Sequence, residues 1–436
     1  MIMSDLMTSM VQQRKAGKIT GVPSYCTAND IVIEALIRQA KELDVDILIE
    51  ATANQVNQFG GYTGMKPADF RDFVYEIADR AGYPHDRIVL GGDHLGPLTW
   101  VNEPEDSAME KAVTLVKLFV EAGYKKIHLD TSMRVADDPT DQPLTDETVA
   151  RRGAKLYQAC EDSYQELLKK NPDEKRPVFI IGSEVPIPGG AQEQEDSISV
   201  TKPEAVAATL EEYRKQFKNI SDPDAFDNVI GIVVQPGVEF GDDDVFPYDR
   251  KNAKELCGKI ATFDGIYMEG HSTDYQPPRC LREMVEDGVA ILKVGPALTF
   301  GLRDGLFALS EIEKILVPDE DQVKFPSLLE RLMLEDTSKW AKYYHGTDKE
   351  IAIKRRYSLS DRCRYYFAMP EIREAIEKLI KNIDGQEIPT GLLYQYMPLQ
   401  YKKVRDGELN KDARSLLMSF VTDVADDYNY AAGYIN

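Results

Sequence analysis

The stretch IVLGGDHLGP, residues 88–97, decides the fold, because three apolar residues in it run directly into two glycines, an acid and a histidine. A short apolar run bounded by turn residues is typical of a buried strand in a parallel sheet. Asp93 and His94 end this run, and His94 is one of only five histidines in the chain. The pattern predicts a strand whose carboxyl end contributes to a functional site.

Seven further apolar runs have the same form, and amphipathic stretches typical of helices separate them. The eight predicted strands are GVPSYCTA (21–28), DILIEAT (46–52), IVLGGDH (88–94), KIHLDTS (126–132), PVFIIGSE (177–184), VIGIVVQPG (229–237), GIYMEGHST (265–273) and AILKVGPA (290–297). The predicted helices between them include DIVIEALIRQAKEL (30–43), PADFRDFVYEIADRAG (67–82), SAMEKAVTLVKLFVEAG (107–123) and PEAVAATLEEYRKQF (203–217). Eight such units predict an α/β fold, a (β/α)8 TIM barrel that carries the active site, over residues 1–325. Patterns such as PEIREAIEKLIKNI (370–383) predict a helical C-terminal region, residues 326–436, packed on the barrel.

The composition favours a protein that acts on small molecules. The 52 Lys and Arg against 74 Asp and Glu give a formal net charge of -22, which disfavours both nucleic acid and anionic membranes as partners. Because no apolar run is long enough to span a bilayer and no signal peptide is recognisable, we expect a cytoplasmic protein. The five cysteines form no CxxC pair, which argues against a zinc or redox motif. We also expect a homo-oligomer.

Polar side chains end the predicted strands, which is where a barrel of this class gathers its active site. The strand-end residues are Glu50, Asn54, Gln55, Asp93, His94, His128, Asp130, Ser183, Glu184, Gln235, Glu269, His271, Ser272 and Lys293. Two imidazoles and a carboxylate suit a divalent metal, so His94, Glu184 and His271 are the predicted metal ligands. Zn²⁺ is the first choice of ion, with Mn²⁺, Ni²⁺ or Co²⁺ as alternatives. Asp93, Asp130 and Glu184 are the predicted catalytic carboxylates, while His128 is expected deeper in the barrel, as a packed core histidine or a support for the ligands.

Two glycine-bearing segments are candidates for substrate binding. Residues 57–66 form a long loop that could be a lid or a phosphate cradle, and residues 292–305 follow the eighth strand, where barrels often bind phosphate. Neither contains GxGxxG or GxxxxGK[ST], so we expect no nucleotide cofactor. The residues predicted to bind the substrate and its phosphate are Glu50, Asn54, Gln55, Gln235, Ser272, Thr273, Lys293, Gly295 and Arg303, with Thr299 beside them. For Arg303 a salt bridge on a helix surface is an equal alternative.

A basic cluster lies beyond the predicted barrel, in an otherwise acidic chain. It consists of Arg355, Arg356, Arg362 and Arg364. The cluster could reach back over the barrel mouth or contact another subunit. A network of surface ion pairs is the favoured interpretation, because such charges are commonly paired and solvated.

Several of these segments together carry a resemblance to a known family. The strings IEATANQVNQFGGYTGM (49–65), GGDHLGP (91–97), KIHLD (126–130), VQPGVEFG (234–241), HSTDYQ (271–276), LKVGPALTF (292–300) and RYSLSDR (356–362) resemble the Z-type component of class II tagatose-bisphosphate aldolase. The resemblance runs from about residue 18 to the C-terminus. The chain departs from the family at Asn29, where other members commonly have histidine.

The resemblance implies one of two roles. Some members of the family support a separate aldolase polypeptide without being catalytic, whereas related proteins act alone as tagatose 6-phosphate 4-epimerases. Asp93 and His94 are also similar to the acid–histidine pair of class II fructose-bisphosphate aldolases, in which the histidine binds zinc and the acid moves protons.

The completeness of the predicted site favours the enzyme over the supporting subunit. A decayed site should have lost some of its residues, whereas all of these are present: Asp93, His94, Asp130, Glu184 and His271. The C4 proton of a 2-ketose is not acidic, so inversion at C4 is expected to proceed by cleavage of the C3–C4 bond and re-addition, with a metal as Lewis acid and Asp93 as base. We therefore predict a metal-dependent isomerase that interconverts D-fructose 6-phosphate and D-tagatose 6-phosphate. The alternative is a non-catalytic subunit that stabilises a class II aldolase catalytic subunit, and a ketose-bisphosphate aldolase acting alone is a third possibility.

Overall fold

A computed structural model describes residues 6–182 and 198–435 of the chain. Its main sheet is a closed barrel of eight parallel strands, in which β1 pairs with both β2 and β10. The barrel strands are β1 Val22–Cys26, β2 Ile47–Thr52, β3 Ile88–Leu95, β4 Lys126–Leu129, β5 Val178–Ile181, β6 Val229–Val234, β9 Tyr267–Gly270 and β10 Val289–Val294. A short antiparallel pair, β7 Glu239–Phe240 and β8 Val245–Phe246, follows β6. Each of the eight predicted runs overlaps one barrel strand, so the predicted (β/α)8 fold is confirmed.

Fifteen α-helices lie in the described part of the chain. They are α1 Leu6–Lys15, α2 Asp30–Leu43, α3 Pro67–Ala81, α4 Glu105–Glu121, α5 Asp146–Lys170, α6 Pro203–Phe217, α7 Arg250–Ile260, α8 Pro278–Glu286, α9 Pro296–Leu316, α10 Phe325–Glu335, α11 Asp348–Tyr357, α12 Pro370–Asp384, α13 Thr390–Tyr396, α14 Pro398–Arg405 and α15 Ala413–Ala432. Local signals in the sequence set several of the starts. Proline occupies the first turn of α3 and α6, and the Asn29 side chain accepts a hydrogen bond from the Val32 amide at the start of α2.

The N-terminal helix closes the end of the barrel at which the strands begin. Met7 and Met10 of α1 are almost fully buried, in one cluster with Leu48, Val89 and Ile180 from three of the barrel strands. Burying an apolar side chain of this size contributes about 1.5–3 kcal/mol. Because this end is filled by apolar side chains, only the carboxyl ends of the strands are left for a polar site.

The helices after residue 325 pack against the barrel's own helices. The last helix, α15, contacts α2, α8 and α9, and α12 contacts α9. A 3₁₀ turn, Arg362–Tyr366, lies between α11 and α12. Among the helices in the two described ranges, none is long and apolar enough to cross a membrane.

Candidate functional site

A layer of buried charges crosses the inside of the barrel, and it consists of Glu50, Lys126, Glu269 and Lys293. Lys126, the first residue of β4, has its Nζ 2.8 Å from Glu50 and 2.6 Å from Glu269. Lys293 of β10 pairs with Glu50 as well and lies 3.0 Å from the Oδ2 of Asp93. Burial alone would lower the pKa of Lys126, but the charges of Glu269 and Glu50 outweigh it and raise that pKa, so the amine stays charged.

Three histidines and an aspartate meet directly above this layer. The donor atoms of Asp93, His94, His128 and His271 all lie within 4.8 Å of one another, and the four residues are buried. The ring of His94 is 4.9 Å from that of His271 and 5.1 Å from that of His128. The His128 Nδ1 is 2.9 Å from Asp93, whereas its buried Nε2 has no hydrogen-bond partner in the described structure. Three imidazoles and a carboxylate around one point fit a divalent metal such as Zn²⁺ or Mn²⁺, which would satisfy that unpaired nitrogen.

A backbone irregularity brings two consecutive residues into the same cluster. Neighbouring residues in a regular strand point to opposite faces of the sheet. The β3–β4 register shifts between Gly92 and Leu95, and His94 has a φ of 50°, which is unusual for a residue other than glycine. This bulge turns His94 so that its ring joins the side chain of Asp93.

Glycines in the same stretch keep space for side chains and backbone from adjacent strands. A Cβ on Gly91 would stand 2.4 Å from the Glu50 carboxylate, and one on Gly96 would stand 1.7 Å from the Asp130 carbonyl oxygen. Real Cβ atoms do not approach other atoms so closely. The glycines of the opening motif are therefore required by packing at the site.

Two further carboxylates orient the histidines. Asp130 Oδ2 is 2.8 Å from His94 Nδ1, and Glu269 Oε1 is 2.9 Å from His271 Nε2. A carboxylate on one ring nitrogen fixes the ring and leaves the other nitrogen available to a metal. Burial would lower the pKa of His94, but Asp93 and Asp130 outweigh it and raise that pKa. For His271 burial prevails over the opposing Glu269, and the pKa falls to about 4.

Asp93 belongs to the donor set and also contacts the charged layer through Lys293. Burial alone would raise its pKa, but the charges of His94 and Lys293 outweigh burial and hold the pKa well below the usual range. Asp93 is therefore ionised at neutral pH. It lines a pocket formed by the carboxyl ends of the barrel strands, the loops that follow them and part of the C-terminal region.

The structure brings together most of the residues predicted from the strand ends. Asn54, Gln55, Asp93, His94, His271, Ser272, Lys293, Gly295 and Thr299 all line this pocket. Glu50 and Asp130 are fully buried behind it, where they contact Lys293 and His94. Glu184, predicted as both ligand and base, lies outside the described residues, as does Ser183.

Besides Glu50, three of the predicted substrate-binding residues do not line the pocket. Gln235 accepts hydrogen bonds from the amides of Gly237 and Val238, and Thr273 donates to the carbonyl oxygen of Lys293. Arg303 is fully buried, with its Nε 3.3 Å from Asp361 and its guanidinium over the ring of Phe300. It is neither a surface residue nor exposed to the pocket.

The start of α9, predicted to hold phosphate, already holds a carboxylate. Asp274 Oδ1 accepts hydrogen bonds from the amides of Gly295, at 3.0 Å, and Ala297, at 2.8 Å. Burial raises the pKa of Asp274 to about 6, and these amides oppose that rise. A phosphate at this helix start would have to compete with the side chain of Asp274.

Four residues of the site were either missed or given a lesser role by the sequence analysis. His128 lies within the donor set instead of only supporting it, and Lys126 holds the charged layer. Asp274 caps α9, and Arg364, from the cluster predicted as surface ion pairs, lines the pocket. The lysine that begins an otherwise apolar strand at 126 is a signal that could have been used, because an unpaired lysine is almost never fully buried.

Comparisons with known proteins agree with this arrangement. Residues 7–433 match the family model described as D-tagatose-1,6-bisphosphate aldolase subunit GatZ/KbaZ-like. The chain is 45% identical over 424 residues to the D-tagatose-1,6-bisphosphate aldolase subunit GatZ of Klebsiella pneumoniae subsp. pneumoniae, covering 97% of this chain and 98% of that protein. A crystal structure of a probable tagatose 6 phosphate kinase from Sinorhizobium meliloti 1021 matches with a TM-score of 0.85 and 43% identity, covering 94% of this chain and all of that one. The resemblance seen in the sequence is confirmed: the chain belongs to the GatZ/KbaZ-like family of D-tagatose-1,6-bisphosphate aldolase subunits.

Proposed function

We propose that this chain is an aldolase subunit that acts on a phosphorylated ketohexose and has a metal-dependent aldol site of its own. Family membership supports the first half of the proposal. The observation that carries the second half is the donor set of Asp93, His94, His128 and His271, with the Nε2 of His128 unpaired and buried. Asp93, His94 and His271 of this set line the pocket, where a substrate could reach an ion that they hold.

The four residues of the donor set divide into three metal ligands and one base. His94, His128 and His271 would hold a divalent ion, which supplies Lewis acidity toward the ketose C2 carbonyl and C3 hydroxyl when bound. Asp93 accepts the proton of the C4 hydroxyl as the C3–C4 bond breaks, because it is ionised and lines the pocket beside the imidazoles. Asp130 and Glu269 keep the rings of His94 and His271 in place.

Lys293 does not offer the other route to aldol chemistry, in which a neutral amine forms an imine with the ketose. Its ammonium pairs with Glu50 and lies 3.0 Å from Asp93. Burial would lower the pKa of Lys293, but these carboxylates outweigh it and hold the pKa well above the usual value. A lysine that remains protonated is a charge in the site and not a nucleophile.

The second candidate is the 4-epimerase, which uses the same bond cleavage. After the C3–C4 bond breaks, the aldehyde fragment turns and the bond reforms on its other face, while Asp93 returns its proton to the C4 oxygen. The observation in favour is that one chain supplies the base Asp93 and the imidazoles of His94 and His271 in a single pocket, with His128 buried behind them. Epimerisation therefore needs no second polypeptide.

The deciding experiment is turnover by the purified chain alone, first with added Mn²⁺ or Zn²⁺ and then after chelation. Fructose 6-phosphate is followed for conversion to tagatose 6-phosphate, and tagatose 1,6-bisphosphate for cleavage with and without a separate class II aldolase subunit. We expect metal-dependent turnover that is lost in His128→Ala and retained in His85→Ala, since His85 is exposed beside Asp79. If the chain only stimulates the separate subunit, and His128→Ala stimulates it equally, the aldol site proposed here is refuted and the supporting role remains.

A further inference from the structure

A segment of the C-terminal region lies over the barrel mouth and brings two arginines to the pocket. Arg364 and Tyr365, from the 3₁₀ turn, and Arg373, from α12, line the same pocket as Asp93 and His271. Tyr365 also meets Tyr62 of the glycine-rich loop, with their rings 4.9 Å apart edge to face. The pocket is therefore walled by the C-terminal region as well as by the barrel loops.

Neither arginine of this segment is held in a direct ion pair within the described part of the chain. Arg364 donates to the carbonyl oxygens of Ser360 and Asp361 and to the Tyr365 hydroxyl, and its guanidinium lies 4.6 Å from the centre of the Tyr365 ring. Over the described ranges, Arg364 and Arg373 form no ion pair. In contrast, Lys293, the third cation of the pocket, is already paired with carboxylates.

We propose that Arg364 and Arg373 bind the phosphate group of the sugar substrate. A guanidinium presents a planar fork of N–H groups that matches phosphate oxygens, and unpaired guanidinium groups attract a dianion more strongly than paired ones. The alternative place for the phosphate, the start of α9, is taken by Asp274. The identity of the sugar rests on the proposed function, whereas the binding of phosphate does not.

The buried Arg303 acts in this arrangement as a positioning residue. It lies on α9, a barrel helix, and pairs with Asp361, which also accepts a hydrogen bond from Thr299 Oγ1 at 2.6 Å. Asp361 has a φ of 44° and directly precedes the 3₁₀ turn that carries Arg364. The contacts of Asp361 with α9 therefore fix where Arg364 stands over the barrel mouth.

Binding of inorganic phosphate, fructose 6-phosphate and fructose to the full-length chain tests this site by calorimetry. Arg364→Gln and Arg373→Gln should each weaken binding of both phosphate compounds about 10- to 100-fold, the range expected for loss of a charge-assisted hydrogen bond, and leave fructose unchanged. Arg356→Gln is the matched control, since Arg356 pairs with Glu330 outside the pocket. Thermal unfolding establishes that each variant is folded, and the exposed Arg373 decides the question if Arg364→Gln does not fold.

The possible results separate this proposal from the proposed function. Phosphate binding that depends on both arginines, without turnover of any ketohexose phosphate, supports the phosphate site and refutes the aldol site. Turnover with unchanged phosphate affinity in folded Arg364→Gln and Arg373→Gln overturns the phosphate site and leaves the aldol site standing.

Discussion

Replacing Lys126 by methionine tests whether the charged layer holds the barrel together. Lys126 is fully buried, and its ammonium is the shared partner of Glu50 and Glu269, at 2.8 Å and 2.6 Å. Methionine keeps the length and apolar stem of lysine but removes the charge. Breaking a buried ion pair from one side costs about 3–5 kcal/mol, because the other charge remains buried without compensation. We expect the free energy of unfolding to fall by about this amount at pH 7.

The loss of stability in Lys126→Met should depend on pH, and the direction of this dependence follows from the pKa of Glu269. Burial would raise the pKa of Glu269, but Lys126 and His271 outweigh burial and hold it below the usual range. In the native protein this carboxylate therefore stabilises the fold above its unfolded pKa of about 4.3, and the contribution is lost as the pH falls through the folded value. In Lys126→Met the positive charge that opposes the effect of burial is missing, so the pKa of Glu269 in the folded state rises. Glu269 is then protonated more readily on acidification, which removes its uncompensated charge and reduces the loss of stability. The gap between the variant and the native protein should narrow from pH 7 to pH 5.

Chemical denaturation followed by circular dichroism at pH 7 and pH 5 measures both effects. Lys125→Met is the matched control, because the neighbouring Lys125 pairs with Glu174 near the surface and should contribute about 1 kcal/mol or less. Adding Glu269→Gln to Lys126→Met should recover part of the loss, since it removes the carboxylate that is left without a lysine partner, whereas Glu50 keeps Lys293. A Lys126→Met protein as stable as the native one at pH 7, or a deficit independent of pH, would refute the reasoning.

Three further predictions concern the donor set of Asp93, His94, His128 and His271. Gly96→Ala should lower stability by more than about 1 kcal/mol and weaken metal binding, because its Cβ would stand 1.7 Å from the Asp130 carbonyl oxygen; an unchanged melting temperature contradicts this. His128→Ala should weaken Zn²⁺ affinity, measured by competition with a chelator, beyond the roughly 10- to 100-fold loss typical of residues that only orient ligands, while His85→Ala should not. Because the pKa of His94 is raised, a proton competes with the metal, so metal affinity should rise with pH by up to about tenfold per unit until His94 is deprotonated; a flat profile would exclude this competition.

The barrel was predictable because its signals are local. A strand of a parallel barrel is an apolar run of four to eight residues, and each of the eight runs could be recognised without knowledge of its neighbours. The helices α2 and α6 begin and end at the predicted residues, since Asn29 and Pro203 mark their starts. The strand-end rule then placed Asp93, His94 and His271 in one site.

The missed residues depend on contacts between distant parts of the chain. His128 has the same strand parity as Asp130, but the sequence does not show that the bulge at His94 brings the two rings within 5.1 Å. Arg364 looks like a surface residue in its local sequence, and it reaches the pocket only because Asp361 binds to α9. Pairings of this kind arise from tertiary packing and leave no periodicity in the sequence.

The balance of charge inside the barrel gives an independent argument for a divalent ion. Four buried carboxylates and two buried ammonium groups lie in and around the donor set, among the described residues. The net charge of these six groups is therefore -2 when the imidazoles are neutral. The carboxylates are Glu50, Asp93, Asp130 and Glu269, and the ammonium groups are Lys126 and Lys293. Buried charge that is not compensated is costly, and the carboxylates of Asp93 and Asp130 accordingly raise the pKa of His94, which favours a proton on its ring. One divalent cation would neutralise the same charge completely and displace that proton. The charge balance therefore couples the binding of the metal to the release of a proton by His94.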